Sequence, residues 1–261
     1  MQKFRKKKIT ILNGRKIEEM NEIIICKNKS VIVAADVAEF CDLISLILAV
    51  KGVSGIGAFK LGFGLGLDGL KGMTEEIKKV LGKDFPVIYD HQKAANDIPD
   101  TGALFAKKLK EAGVDAAILF PFTGPVTQEA WTKSCQDAGL EVLTGGIMTH
   151  KKFLVSEGGY IADEAPEKIY RLACKLGVKH FVVPGNKLNW VQKIKEILTE
   201  ELGEGNFVLY APGFITQGGD ISECGQVAGD KWHAIVGSAI CGKINSDGAR
   251  EAAINVTKMI A

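Results

Sequence analysis

The sequence predicts an α/β fold, a (β/α)8 TIM barrel forming a single domain behind a short N-terminal extension. Eight short apolar, β-branched runs recur along the 261-residue chain. They are continuous rather than alternating, as strands buried on both faces must be. Segments of helical periodicity separate most of them, and no linker or compositional break interrupts the series. An open, doubly wound sheet is the alternative architecture.

Residues 1–30 read as an N-terminal arm or capping segment. Charge repeatedly interrupts "ITILNGRKIEEMNEIIICKNKS", so the basic start "MQKFRKKK" is not followed by the apolar core of a signal peptide. The barrel then spans residues 31–261. Its strands are expected at "VIVAAD" (31–36), "IGAFKL" (56–61), "PVIYD" (86–90) and "DAAILF" (115–120), then at "EVLTGG" (141–146), "HFVVP" (180–184), "NFVLYA" (206–211) and "HAIVG" (233–237). Helical periodicity marks "AEFCDLISLILAV", "GALFAKKLKEAG", "APEKIYRLACKLG" and "NWVQKIKEILTEELG". In "EAGVDAAI" and "KLGVKHFVV" a glycine stands just past a helix, where a left-handed residue stops it.

Composition narrows the function. With 33 basic against 31 acidic residues, nothing global favours nucleic acid or an anionic membrane. No apolar run approaches the length of a membrane span. The six cysteines (26, 41, 135, 174, 224 and 241) contain no C-x-x-C pair, which reads as reduced thiols in a cytoplasmic protein.

A barrel places its chemistry at the carboxyl ends of its strands. Read in order, those ends carry Asp36, Lys60, Asp90 with Lys93, Thr149 with His150, Gln217, and Gly237 with Ser238. Lys93 lies between Asp90 and Asp97. Opposite charge on both sides favours its ammonium form, which suits proton donation to a carbanion. The carboxylates would repel a negative group on a substrate. The plainer reading of such a cluster is a solvated surface ion-pair set.

The stretch "DHQKAANDIPDT" (90–101) resembles the D-x-K-x-x-D-I-P-x-T signature of the orotidine 5′-monophosphate decarboxylase family. Pro212, Gly213, Gln217, Gly218, Gly219 and Asp220 match that family's P-G-x-x-x-Q-G-G-D in order. "GGIMTH" is similar to its M-S-H, with Thr149 for serine, and "AAD" and "FKLG" supply an aspartate and a lysine in the family's places. The resemblance runs from about residue 31 to the end.

It implies a carboxy-lyase of pyrimidine biosynthesis that converts orotidine 5′-monophosphate to uridine 5′-monophosphate with no metal or organic cofactor. By position, Lys93 would protonate the C6 carbanion and Asp90 would sit beside the substrate carboxylate. Asp97 and Thr101 would reach into the neighbouring subunit's site, making a homodimer with shared active sites. Lys60 would bridge the charged network and the ribose, Asp36 would hold a ribose hydroxyl, and Thr149 would bind the pyrimidine. Gln217, on a mobile loop, would connect base and phosphate. The phosphate would rest on backbone N–H groups after strands seven and eight. Pro212, Gly218, Gly237 and Ser238 complete the expected substrate-binding set.

Two departures from the family pattern stand out. The spacing around Lys93 is one residue longer on each side, and along an extended strand such a shift turns a side chain to the other face unless a bulge or loop restores it. The family's strand-eight V-G-R reads "VGS" here, so Ser238 replaces an arginine and its bidentate grip on phosphate. Lys187 and Lys243 are the candidate substitutes.

Other features read as structural. "GLGLDG" (64–69) satisfies G-x-G-x-x-G but is read as a flexible barrel loop rather than a dinucleotide site. His91 and His150 lack companions at metal-ligand spacing. Trp131, Trp190 and Trp232 read as packing residues in or beside helices, and "KKFLVSEGGYI" as a long loop. The rival functions are a magnesium-dependent sugar-phosphate decarboxylase or aldolase of the same barrel suprafamily, and a nucleotide-binding barrel without catalysis.

Overall fold

The computed structural model describes residues 8–12, 15–19, 24–91, 94–244 and 248–260. Eight parallel strands close a barrel: β1 (Lys29–Ala35), β2 (Ile56–Gly62), β3 (Val87–Asp90), β4 (Ala116–Leu119), β5 (Glu141–Gly145), β6 (His180–Val182), β7 (Val208–Ala211) and β8 (Trp232–Val236). Sequential strands pair, and β8 returns to β1 to remove the open edges. The helices are α1 (Phe40–Val50), α2 (Phe63–Leu81), α3 (Gly102–Glu111), α4 (Pro125–Asp137), α5 (Ala165–Lys175), α6 (Leu188–Leu202), α7 (Ile221–Ala228), α8 (Ser238–Cys241) and α9 (Gly248–Met259). Much of the expected arm, residues 1–30, lies outside the described residues. Its described part includes an antiparallel hairpin of Lys8–Leu12 with Arg15–Glu19.

Both faces of the strands are apolar because both are buried. Val31, Val33, Phe59 and Leu61 face the helices, whereas Ile32, Ala34, Ala58, Ile88, Ile118 and Ile235 fill the barrel interior. Alternation along a strand then fixes the orientation of polar positions. Lys60 falls two residues beyond the inward Ala58, and Asp90 two beyond the inward Ile88, so both side chains enter the barrel mouth.

The barrel interior also holds a buried polar chain towards the amino ends of the strands. Ser30 Oγ lies 2.8 Å from His233 Nδ1, and Tyr210 Oη lies 3.0 Å from His180 Nδ1. The Tyr210 and His233 rings stand 5.0 Å apart. Burial, with a smaller contribution from His180, pushes the His233 imidazole down to about 3, so it is neutral in the fold. Ile24 and Ile25 are buried against the same interior cluster.

Gly113 (φ +78°) and Gly177 (φ +80°) are the left-handed helix stops the sequence marks. One expectation is corrected. "GLGLDG" is not a flexible loop but part of α2, which kinks at Gly69 (φ +127°). A Cβ on Gly66 would lie 2.6 Å from Tyr89 Oη, so this glycine serves close packing of helix on strand. Trp232 opens β8 and is a packing residue beside a helix as expected: it is 1% exposed, lies against Gly225 of α7 and packs against Phe214.

Candidate active site

A cavity of about 640 Å³ opens at the carboxyl ends of the strands. Asp36, Lys60, Asp90, Pro212, Gln217, Gly237 and Ser238, expected from seven sequence positions, all line it. Lys60 Nζ lies 3.3 Å from Asp90 Oδ2 and 3.6 Å from Asp36 Oδ1. The Lys60 and Asp90 side chains are 8% and 12% exposed, so this pair is held away from bulk water, whereas Asp36 is 55% exposed. Asp90 Oδ1 is buried without a hydrogen-bond partner. An anionic oxygen left unpaired in a confined space costs free energy, and such a group at a barrel mouth marks a functional position.

The β7 loop explains the glycines of P-G-x-x-x-Q-G-G-D. Gly213 has φ +108°, and a Cβ there would lie 3.0 Å from Thr149 Cγ2. Gly218 has φ +84°. A Cβ on Gly219 would stand 2.6 Å from the Gly213 carbonyl oxygen, which Gly219 N–H itself bonds at 3.1 Å. Asp220 then caps α7, its Oδ1 accepting from Glu223 N–H at 2.9 Å. The motif therefore encodes a compact turn that presents Thr216 and Gln217 to the cavity.

Thr216 is a residue the sequence reading missed, being one of the motif's unspecified positions. Its Oγ1 lies 2.8 Å from Ser238 Oγ and ties the β7 loop to the end of β8. Ser238 opens α8, whose first turn leaves N–H groups without intrahelical acceptors. Gly237 lies close under Asp36: a Cβ there would meet Asp36 Oδ2 at 2.7 Å and displace that carboxylate. Asp42 and Cys241 also line the cavity and were not anticipated. Burial pushes the Cys241 thiol up to about 11, so it stays protonated and is no ready nucleophile.

The remaining expected residues fall elsewhere. Lys93 lies outside the described residues. β3 ends at Asp90. The chain is described again from Ala94, whose carbonyl accepts from Phe120 N–H at 2.8 Å, and Ala95 adopts φ +72°. Asp97 and Thr101 do not line the cavity. Asp97 is exposed with Oδ1 on Ile98 N–H at 2.7 Å, and Thr101 Oγ1 donates to the Ile98 carbonyl at 2.8 Å. Thr149 stands behind Gly213 at the rim, and Gly218 forms the back of the turn.

Of the two candidate replacements for arginine, Lys187 is committed elsewhere. Its Nζ lies 3.2 Å from Glu157 Oε1 and donates to the His150 carbonyl at 3.2 Å. That ion pair belongs to the long loop after β5, where Glu157 also accepts from Phe153 N–H at 3.0 Å. The Phe153 bond and then Lys187 hold the Glu157 carboxyl below its ordinary value. Lys243 is exposed and stands in the chain between the cavity residues Gly242 and Ile244.

Fold and site together define a (β/α)8-barrel enzyme whose mouth sets buried charge against a glycine-built loop. The chain belongs to the orotidine 5′-phosphate decarboxylase / HUMPS family, whose sequence model matches residues 29–253. It is 29% identical over 238 residues to an orotidine 5′-phosphate decarboxylase of Methanosarcina mazei, covering 90% of this chain and 96% of that one. It is 31% identical over 188 residues to that of Thermococcus kodakarensis, covering 71% and 75%. Among solved structures it resembles orotidine 5′-monophosphate decarboxylase of Methanocaldococcus jannaschii complexed with the inhibitor BMP. The TM-score is 0.74 at 26% identity, over 89% of this chain and 98% of that one.

Proposed function

We propose that this chain decarboxylates orotidine 5′-monophosphate to uridine 5′-monophosphate, a carboxy-lyase reaction of pyrimidine biosynthesis. The observation that carries the site assignment is the buried Lys60–Asp90 pair, with an unpartnered Asp90 oxygen, at the family's charged positions. The family's description spans two chemistries, and the relatives described above are decarboxylases of this nucleotide, which disfavours the sugar-phosphate alternative.

In this reading the bond between C6 and the carboxylate carbon breaks, carbon dioxide leaves, and the electron pair stays on C6. The Lys93 ammonium then delivers its proton to that carbon, and solvent restores the proton to the amine. Lys93 takes this role from the sequence resemblance alone; Asp90, three positions before it in the chain, lines the cavity. Asp90 stands beside the departing carboxylate, and Lys60 keeps Asp90 and Asp36 in place. Charges fixed before the reaction need no reorganisation when the carbanion develops, which is where such a site gains rate. Gln217, in the cavity lining, connects base and phosphate, and Thr149, at the rim behind Gly213, serves the pyrimidine end. Gly237 and Ser238, with Thr216 beside them, receive the phosphate, whose binding energy can be used to align the reacting end. The mechanism calls for no metal or organic cofactor.

The working unit is a homodimer in which Asp97 and Thr101 serve the partner's site. Supporting this, Phe63, Leu67, Ile98, Leu104 and Val126 are apolar yet at least half exposed, Leu67 by 77%. They follow β2, β3 and β4 along one side of the barrel mouth, beside Asp97 and Thr101. An apolar rim of this kind suits association. A cytoplasmic location fits the scattered free thiols. Among the described residues no helix is long and apolar enough to cross a membrane.

The test is loss of orotate absorbance from orotidine 5′-monophosphate with excess chelator present, beside a Lys93→Ala control. Turnover that depends on Lys93 supports the assignment. Turnover abolished by chelator would favour the magnesium-dependent reaction, and nucleotide binding without turnover the non-catalytic barrel.

A further inference from the structure

Asn186 lies just beyond β6, between the two loops that carry Thr149 and Gln217, and no sequence motif singles it out. Its Nδ2 donates to the Thr149 carbonyl at 3.2 Å and to the Gln217 carbonyl at 3.3 Å. Two carbonyl acceptors on one side fix which end of the amide is nitrogen, because the opposite orientation would set oxygen against oxygen. The consequence is an Oδ1 that is buried with no hydrogen-bond partner. Leaving that acceptor bare is unfavourable, so the two donated bonds are what the position is organised around.

The neighbouring contacts act in the same sense. Gly185 N–H donates to the Pro212 carbonyl at 2.8 Å, and Lys187 Nζ to the His150 carbonyl at 3.2 Å. Residues 185–187 thus form a crosspiece from the β5 loop to the β7 loop. A Cβ on Gly213 would stand 3.1 Å from Asn186 Oδ1, and one on Gly219 3.2 Å from Asn186 Cβ, so the loop glycines let the backbone settle against this amide. On its other side the β7 loop is tied by Thr216 to Ser238. The loop is therefore pinned from β6 and from β8.

We propose that Asn186 is a positioning residue that holds Thr149 and Gln217 in fixed relation, so that the pyrimidine and phosphate ends of the nucleotide are read together. The proposal rests on the decarboxylase reading for the roles of those two residues. Asn186 touches neither substrate nor reacting atoms; it acts through the loops. Displacement of aligned groups by about an ångström can cost on the order of a hundredfold in rate.

The test uses Asn186→Leu, which keeps the branched shape and removes both donors, and Asn186→Ala as a second variant. Hydrogen exchange of residues 213–219 and 147–150 should quicken about tenfold or more in both variants, with exchange in β1 to β4 unchanged. Turnover of orotidine 5′-monophosphate, as kcat/KM, should fall roughly ten- to a hundredfold. In a cycle with Gln217→Ala the losses should be less than additive, because an unpinned loop matters less once the Gln217 side chain is gone. Unchanged loop exchange in folded variants, or strictly additive losses, would overturn the proposal. A wild-type protein that neither turns over orotidine 5′-monophosphate nor binds uridine 5′-monophosphate would sink the decarboxylase reading instead. The exchange comparison would still decide whether Asn186 pins the two loops.

Discussion

Replacing Lys60 with methionine removes the ammonium that faces Asp90 and Asp36 while keeping most of the side chain's volume. At 3.3 Å from Asp90 Oδ2, the Coulomb attraction at an effective dielectric of about 20 is roughly 5 kcal/mol. Asp36, 3.6 Å away but 55% exposed, adds well under about 1 kcal/mol. Desolvation of Lys60 offsets part of the gross figure. The single variant nevertheless strands a buried carboxylate whose other oxygen already lacks a partner. The expected loss of stability is about 3–5 kcal/mol, read by urea unfolding at pH 7 with m-values compared. The double variant Lys60→Met/Asp90→Asn should recover at least half of that loss, since no unpaired charge remains. Both proteins should lose turnover. A single-variant cost below about 1 kcal/mol, the range of exposed pairs, would refute the claim that the pair is desolvated. A double variant no more stable than the single would refute the claim that a stranded charge causes the loss.

Four further outcomes are expected. His233 is neutral in the fold near a value of about 3 against 6.5 for an unperturbed imidazole. Its contribution is therefore complete above pH 6.5 and lost as pH falls towards 3, by about 1.4 kcal/mol per pH unit; His233→Gln should flatten that limb of an acid-unfolding curve. Gly219→Ala sets a Cβ against the Gly213 carbonyl and should raise KM at least about tenfold while costing about 1–3 kcal/mol in stability, measured by kinetics and thermal unfolding together. Ser238→Arg should lower the KM for the nucleotide about tenfold, as a bidentate cation adds a charge-assisted contact to phosphate; an unchanged KM means another group already fills that role. Mixing Lys93→Ala and Asp97→Ala subunits should restore about a quarter of wild-type activity if sites are shared across a two-fold dimer, because one site in each heterodimer is intact; verified heterodimers without activity would place the whole site in one chain.

Much of the barrel was legible in the sequence. Strands buried on both faces must be continuously apolar, so their runs announce themselves, and Gly113 and Gly177 mark helix ends because few other residues accept a left-handed backbone. Strand-end positions were legible from where each apolar run stops; the fold, by turning Ala58 and Ile88 inward, then sends Lys60 and Asp90 into the mouth. "GLGLDG" was misread because glycine spacing alone does not distinguish a turn from a helix packed tightly on Tyr89.

What the sequence determined by itself was local and periodic: strand order, the polar residues at the strand ends, and the glycine-rich motif of residues 212–220. Tertiary structure alone decided which long-range partners meet. Lys187 went to Glu157 and not to the cavity, Thr216 found Ser238, and Asn186 came to lie between Thr149 and Gln217. The partners in these pairs are 22 to 37 positions apart. Chain periodicity carries no information about such meetings, because closure of the barrel, rather than any local preference, sets the distance between loops on neighbouring strands.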